Sequence, residues 1–285
     1  MKRGKKSRVI HFWKVSGAGN NFVLLDERKG SLPLSRRAAA RAFCVQGHSV
    51  GADGVLFIDR SDVADFKLTY YNSDGGEAAM CGNGARCAAA YAFQKGIARA
   101  RMTMETAWGI VEAKARKESV ELHMGAPRDF RRKVSISTRA GRFQGCYVNT
   151  GVPHFVIGVR DLGAVDVNSL GREIRFNRVF RPEGVNVDFV KSNPDGSLSV
   201  RTYERGVEAE TLACGTGAVA AAACFGTRPG KRAPVRILTW GGDVLQVRFL
   251  NSSNPLSSAL LEGPAYVVYE GDIPISLLRS LARRL

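Results

Sequence analysis

Glu77-Ala-Ala-Met-Cys81-Gly-Asn-Gly-Ala85 and Glu210-Thr-Leu-Ala-Cys214-Gly-Thr-Gly-Ala218 are two copies of one segment. Each opens on a glutamate, carries Cys-Gly-x-Gly and runs into three alanines, Ala88–Ala90 and Ala221–Ala223. The cysteines stand 133 positions apart (81 to 214). The same offset aligns other segments without a gap. Phe22-Val23 falls on Phe155-Val156, Thr69-Tyr70 on Thr202-Tyr203, and Thr106 and Gly109 on Thr239 and Gly242. Gly51-Ala-Asp-Gly-Val-Leu-Phe57 falls on Gly184-Val-Asn-Val-Asp-Phe-Val190. A fixed offset kept over so long a stretch is the mark of duplication.

Two lobes of one fold follow, residues 1–123 and 124–265, with a tail, 266–285, that returns to the first lobe through the strand-like Tyr266-Val-Val-Tyr269. Within a lobe, Arg8–Trp13 and Phe22–Leu25 read as strands around a Gly17-Ala-Gly-Asn-Asn21 turn. Leu34–Phe43 reads as a helix capped by Ser31 or Ser35. Val55–Ile58 and Phe66–Tyr71 are strand-like, and Asn72-Ser-Asp-Gly-Gly76 is a loop by composition. Gly84–Gln94 reads as a helix of small residues that stops at Gly96, and its repeat as a helix over about Gly217–Phe225. Met102–Thr106, Gly109–Ala115 and Val120–Met124 look like hairpin strands. The expected class is α+β. Two pseudo-symmetric lobes each wrap a mostly antiparallel sheet around a central alanine-rich helix, and the active site is expected in the cleft between them.

Cys81 and Cys214 both stand immediately before a predicted helix. The first N–H groups of a helix lack internal partners and its dipole is positive there. Such an end favours a thiolate and should lower the thiol pKa. The same N–H groups hold a carboxylate, and the glycines let a ligand approach the backbone. Two such ends facing one small amino acid describe acid–base chemistry. One thiolate removes the α-proton, the other thiol returns a proton from the opposite face, and configuration inverts. Fixed helix dipoles stabilise the charge that develops on the carboxylate. No pyridoxal-binding lysine or metal-ligand cluster is evident, so the expected route uses no cofactor and no metal.

The bulk properties narrow the remaining classes. The 285 residues carry 42 Lys and Arg against 26 Asp and Glu, a net charge of +16. A basic chain can signal a nucleic-acid partner. Here the charge is spread, with clusters only at Lys2–Arg8, Arg128–Lys133 and Arg279–Arg284, none interleaved with aromatics as single-strand binding requires. A solvated basic surface is the better reading. No apolar run is long enough to span a bilayer, and the basic N-terminus lacks the apolar core of a secretory signal, so a cytoplasmic protein without membrane contact is expected. The six cysteines include no CxxC and do not form a disulfide framework. Cys44, Cys87, Cys146 and Cys224 read as packing residues.

Read together, Gly17-Ala-Gly-Asn-Asn-Phe22, Asn72-Ser-Asp-Gly75, Cys81-Gly-Asn-Gly-Ala-Arg86, Pro153-His154, Glu204-Arg-Gly206 and Ala213-Cys-Gly-Thr-Gly217 resemble the signature blocks of the diaminopimelate epimerase family, in order and over nearly the whole chain. The resemblance implies a cofactor-free isomerase. Its reaction interconverts LL- and meso-2,6-diaminopimelate on the route to lysine and peptidoglycan precursors. It implies a homodimer with Tyr269 at the contact. It implies Cys81 and Cys214 as the catalytic pair, with His154 and Glu204 tuning them. It implies substrate contacts from Asn20, Asn72 and Asn186, and a backbone cradle from Gly82-Asn83 and Gly215-Thr216. Glu204 and Arg205 are implied as the pair gripping the distal end, Arg on a carboxylate and Glu on an ammonium. Two positions depart from the family pattern. Val152 stands where many members carry a ligand-binding Asn, and Gly54 where some carry Gln. Val152 keeps open a racemase of the same chemistry with a different amino acid, and the net charge keeps open a nucleic-acid binder on an enzyme fold.

Overall fold

The computed structural model describes residues 9–78, 81–226, 234–251 and 257–285. The basic cluster Lys2–Arg8, and Ala79 and Met80 of the first repeat, lie outside the described residues. The chain forms two compact units, residues 1–120 with 265–285, and residues 121–264.

The first unit runs β1 (Val9–Gly17), β2 (Asn20–Asp26), α1 (Arg36–Cys44), β3 (Gly54–Asp59), β4 (Phe66–Asn72) and β5 (Glu77–Ala78). It continues through α2 (Gly82–Gln94), β6 (Arg101–Thr106) and β7 (Gly109–Ala115) into β8 (Ser119–Gly125), which crosses the boundary. The second unit holds β9 (Arg128–Thr138), β10 (Gly141–Asn149), β11 (Pro153–Gly158), α3 (Val167–Arg175), β12 (Asn186–Ser192) and β13 (Leu198–Glu204). Then come β14 (Ala209–Thr211), α4 (Gly215–Ala221), β15 (Val235–Thr239), β16 (Val244–Phe249) and β17 (Ala259–Pro264). The tail, β18 (Tyr266–Pro274) and α5 (Ile275–Arg284), belongs to the first unit, where β18 pairs antiparallel with β1.

The pairings repeat. In the first unit β2 is parallel to β3, β3 antiparallel to β4, β4 parallel to β6, and β6 antiparallel to β7. In the second, β11, β12, β13, β15 and β16 follow the same scheme. The sheets are mostly antiparallel, as expected, with two parallel pairs in each unit. Each parallel neighbour needs a crossover, and α1, α2, α3 and α4 supply them. In the strands the repeat runs at a spacing of 132, one less than between the cysteines: Phe22 opposes Gly54, and His154 opposes Asn186. The antiparallel registers coincide at the same spacing: Val55 opposes Tyr71, and Val187 opposes Tyr203. Matched side chains then share a face: Val23, Leu25 and Phe57 pack on α1 as Phe155, Ile157 and Phe189 pack on α3. The turns repeat as well, since Gly51 and Gly184 both hold a left-handed φ, +69° and +68°.

Why the sheet is covered on both sides is written in β2. Phe22 and Leu24 point one way, Val23 and Leu25 the other, and all four are buried. Val23, Leu25 and Phe57 pack with Phe43 of α1 and Leu278 and Leu281 of α5. The opposite face takes α2, whose Ala85, Ala88, Ala89 and Ala92 are fully enclosed. Alanines let strands approach closely: a Cβ at Gly84 would lie 2.9 Å from Leu56 Cδ2. In the second unit Phe155, Ile157, Val187 and Phe189 pack with Val167 and Ile174 of α3. Each buried phenylalanine contributes about 1.5–3 kcal/mol over its exposed state.

Three local readings change. The helix expected from Gly84 starts at Gly82, with Cys81 itself as N-cap. Its repeat starts at Gly215 and widens after Ala221 into a π-turn over Ala222–Gly226. The tail, read on its aromatics, also carries α5, whose Leu278 and Leu281 close the α1 layer. Of the two candidate caps for α1, Ser35 accepts from Ala38 N at 3.3 Å. Among the described residues no helix is long and apolar enough to cross a membrane.

Candidate active site

Each cysteine occupies the same structural position in its own unit. Cys81 and Cys214 both hold extended backbone as N-caps, at φ −134° and −118°. Cys81 Sγ accepts from Gly84 N at 3.4 Å, and Cys214 Sγ from Gly217 N at 3.4 Å. The sulfurs therefore sit among the free N–H groups of α2 and α4, where negative charge is favoured.

The neighbourhood of Cys81 is built of amides. Asn20, Phe22, Gly54, Leu56, Tyr70 and Asn72 lie on one face of the sheet by strand alternation and by the registers of β2, β3 and β4. Leu56 on that face meets α2 at Gly84. Asn83 Nδ2 donates to Asn20 Oδ1 at 2.6 Å, and Asn20 Nδ2 donates to Asp53 Oδ2 at 3.2 Å. Asn72 closes its loop through the backbone, donating to Gly76 O and accepting from Gly75 N, both at 2.9 Å. Gly54 has no room for a side chain, because a Cβ would lie 2.4 Å from Tyr70 Cε2 and 2.5 Å from Tyr71 O. Tyr70 and Phe22, ring centroids 5.7 Å apart, fill that face.

Cys214 has carboxylates behind it. His154 Nδ1 donates to Asp188 Oδ2 at 2.7 Å, with both side chains fully buried. Thr202 Oγ1 donates to Asp188 Oδ1 at 2.8 Å. Glu204 Oε1 accepts from Thr211 Oγ1 at 2.6 Å. Thr216 Oγ1 lies 3.3 Å from Cys214 Sγ, and Thr150 Oγ1 donates to Thr216 O at 3.0 Å. Burial pushes the Cys214 thiol well above its ordinary value, and the Glu204 and Asp188 charges push it further, against hydrogen bonds from Thr216 and Gly217 N. Desolvation and the two carboxylates act against the lowering expected of a helix N-terminus. Burial also raises Glu204, opposed by hydrogen bonding to Thr211 and Cys214.

Glu204 and Arg205 do not sit together as one gripping pair. Glu204 turns toward Thr211 and Cys214, whereas Arg205 Nη1 lies 3.7 Å from Glu183 Oε2. Asn186 is buried and engaged by backbone, donating to Pro153 O at 3.2 Å and accepting from Arg205 N at 2.8 Å. Gly82 and Gly215 open α2 and α4. Tyr269 is half-exposed on β18, its ring 6.1 Å from Phe12. Sequence reasoning assigned no role to Asp188 or Asp53. A charged residue inside the buried alternation of β12 was the available signal for Asp188.

The other cysteines divide. Burial raises Cys44 and Cys87 to about 12, in keeping with inert packing. Cys146 is buried with its Sγ donating to Arg132 O at 3.3 Å, and a hydrogen bond from Cys224 draws its thiol down to about 7. A cavity of about 10 Å³, lined by Cys214, Ala213, Thr202 and Thr211, has room for one water at most. A pocket of about 440 Å³ beside α3, lined by Phe143, Leu170, Phe189 and Glu173, contains none of the candidate residues. Among the described residues no cluster of His, Cys, Asp or Glu could hold a metal ion.

The glycines of the two cysteine segments have different reasons. A Cβ at Gly217 would lie 2.4 Å from Asp188 Oδ1, whereas one at Gly82 would meet nothing within 4 Å. Gly217→Ala is therefore expected to cost about 1–3 kcal/mol by displacing an anchored carboxylate. Gly82→Ala is expected to stay within about 0.5 kcal/mol of wild type. Urea midpoints of the two variants check this.

The diaminopimelate epimerase family model matches residues 12–129 and again 146–266. The chain belongs to the diaminopimelate epimerase family. The epimerase of Aquifex aeolicus is 40% identical over 283 residues, covering 94% of this chain and 99% of its own length. That of Chlorobaculum tepidum is 41% identical over 266 residues, covering 92% and 100%. The fold is shared with a probable proline racemase of Agrobacterium radiobacter K84, at a TM-score of 0.71 and 19% identity, covering 96% of this chain and 95% of that one. This family of isomerases accounts for the twofold match to one model and for the repeated strand order.

Proposed function

We propose that the chain interconverts LL- and meso-2,6-diaminopimelate by moving the α-proton between Cys81 and Cys214. The observation that carries the reading is the pair of equivalent N-cap cysteines, each hydrogen-bonded to the third residue of a glycine-led helix. An α-proton is weakly acidic, so the carboxylate that receives its charge needs fixed positive dipoles, and α2 and α4 supply two. The units differ where the reaction needs a difference. Burial, with the Glu204 and Asp188 charges, raises the Cys214 thiol and favours its protonated form. By the strand registers, the residues corresponding to them on the Cys81 face are Asn72 and Leu56, neither a carboxylate. Cys81 is thus the base for the isomer whose proton faces it, and Cys214 the acid. The roles exchange for the return reaction. His154 acts through Asp188, and Glu204 directly, to set the Cys214 proton.

Asn20, Asn72, Asn83, Asn186 and Arg205 are the binding groups of this reading, with the N–H groups around Gly82, Asn83, Gly215 and Thr216 for the carboxylate at the reacting carbon. Arg205, only weakly engaged by Glu183, is the group for the distal carboxylate. The enzyme works in the cytoplasm, on the lysine and peptidoglycan route, as a homodimer. Exposed Tyr266, Val268 and Tyr269 on β18 support that contact.

Product chirality in deuterated water tests the function. LL-diaminopimelate should give the meso isomer with one solvent deuterium at Cα. A product without deuterium, or preference for an amino acid with a single ammonium–carboxylate end, would reject the assignment.

A further inference from the structure

The Gly51-Ala-Asp-Gly54 stretch has no part in the chemistry above, yet its aspartate collects two hydrogen-bond chains. The first begins at Arg86, buried in α2. Arg86 Nη2 donates to Asn83 Oδ1 at 2.5 Å, Asn83 Nδ2 to Asn20 Oδ1 at 2.6 Å, and Asn20 Nδ2 to Asp53 Oδ2 at 3.2 Å. The second begins at Lys14. Its Nζ donates to Asn21 Oδ1 at 2.6 Å and also to Gly51 O, and Asn21 Nδ2 donates to Asp53 Oδ2 at 3.3 Å. Asn21 N adds a third donor to that oxygen at 2.9 Å.

Each chain runs from a group that can only donate to a group that, ionised, can only accept. Between them every amide has one permitted orientation. A flipped Asn20 would set its NH₂ against the NH₂ of Asn83 and its oxygen against Asp53. We infer that Asp53 is a positioning residue that, with Arg86 at the far end, fixes the polarity of the Asn20 amide toward substrate. Asn20 keeps one N–H and one lone pair uncommitted. An α-amino acid offers a carboxylate that accepts and an ammonium that donates. With the amide locked, its nitrogen end takes the carboxylate and its oxygen end the ammonium. A flip would exchange the two groups about the stereocentre.

This inference rests on the epimerase reading and is tested apart from it. Asp53 is exposed, so Asp53→Leu removes the acceptor without opening the core. Asp53→Asn keeps an acceptor oxygen. For wild type that epimerises diaminopimelate, Asp53→Leu should raise KM about tenfold with kcat held within about threefold, and Asp53→Asn should recover most of the loss. In an Asn20→Ala background Asp53→Leu should add nothing. Asp53→Ala replaces the leucine variant if its melting shows that it does not fold. Independent effects of the Asn20 and Asp53 substitutions, or an unchanged KM in a folded Asp53 variant, would overturn the inference. An inactive wild type would instead refute the reaction itself.

Discussion

Serine at either Cys81 or Cys214 is expected to cut epimerisation by about 10²–10⁴-fold while leaving the fold unchanged. The two halves of that expectation have separate causes. Structurally the cysteines are N-caps, and serine is among the best residues at that position. A serine Oγ can accept from Gly84 N or Gly217 N as the sulfur does, so melting temperatures should match or exceed wild type. Chemically, the reaction asks one group to lose its proton near neutral pH, which a thiol does and an unassisted hydroxyl does not. Each variant keeps one sulfur. Cys214→Ser should therefore still exchange the α-proton of the isomer that Cys81 faces, without inverting it. Deuterium content and chirality, read on the same sample, separate exchange from inversion. Near-normal inversion by either serine variant would remove that cysteine from the mechanism.

The duplication was legible because it lives in spacing. Cys-Gly-x-Gly twice at one offset, glycines at matching turns and alanines at matching helix positions name the repeat without any contact being known. The helix ends were less clear, since Gly82 and Asn83 look like loop residues until Cys81 is recognised as a cap. Which few strands pair in parallel was not legible for a related reason. Periodicity marks a strand but not its partner, and the crossovers through α1 and α3 show only in three dimensions. Electrostatics was the least legible. Asp188 follows Cys214 nowhere in the sequence and meets Thr202 and His154 only through the registers of β12 with β13 and with β11. Reading a helix N-terminus alone left out the burial of Cys214 and the opposing charges, which come from distant strands.

Those strands hold a buried polar pair. Asp188 and His154 are both fully buried, 2.7 Å apart. Removing one partner of such a pair leaves a charge or a donor stranded in the interior, which costs about 3–5 kcal/mol. His154→Ala is expected to lose that much and to fall below half-saturation at a lower urea concentration with an unchanged slope. Thr202, still donating to Asp188 Oδ1, cannot replace the lost partner because it serves the other oxygen. Asp188→Asn should cost less, since an amide oxygen can accept from His154 and the buried charge is gone. The two variants should diverge in catalysis. Asp188→Asn removes one of the charges that hold the Cys214 proton, so its thiol ionises at lower pH and the alkaline limb of kcat/KM moves down. Equal stability loss in both variants would show that packing volume, not the buried charge, decides the cost. An unmoved alkaline limb in Asp188→Asn would leave Glu204 alone as the carboxylate governing Cys214.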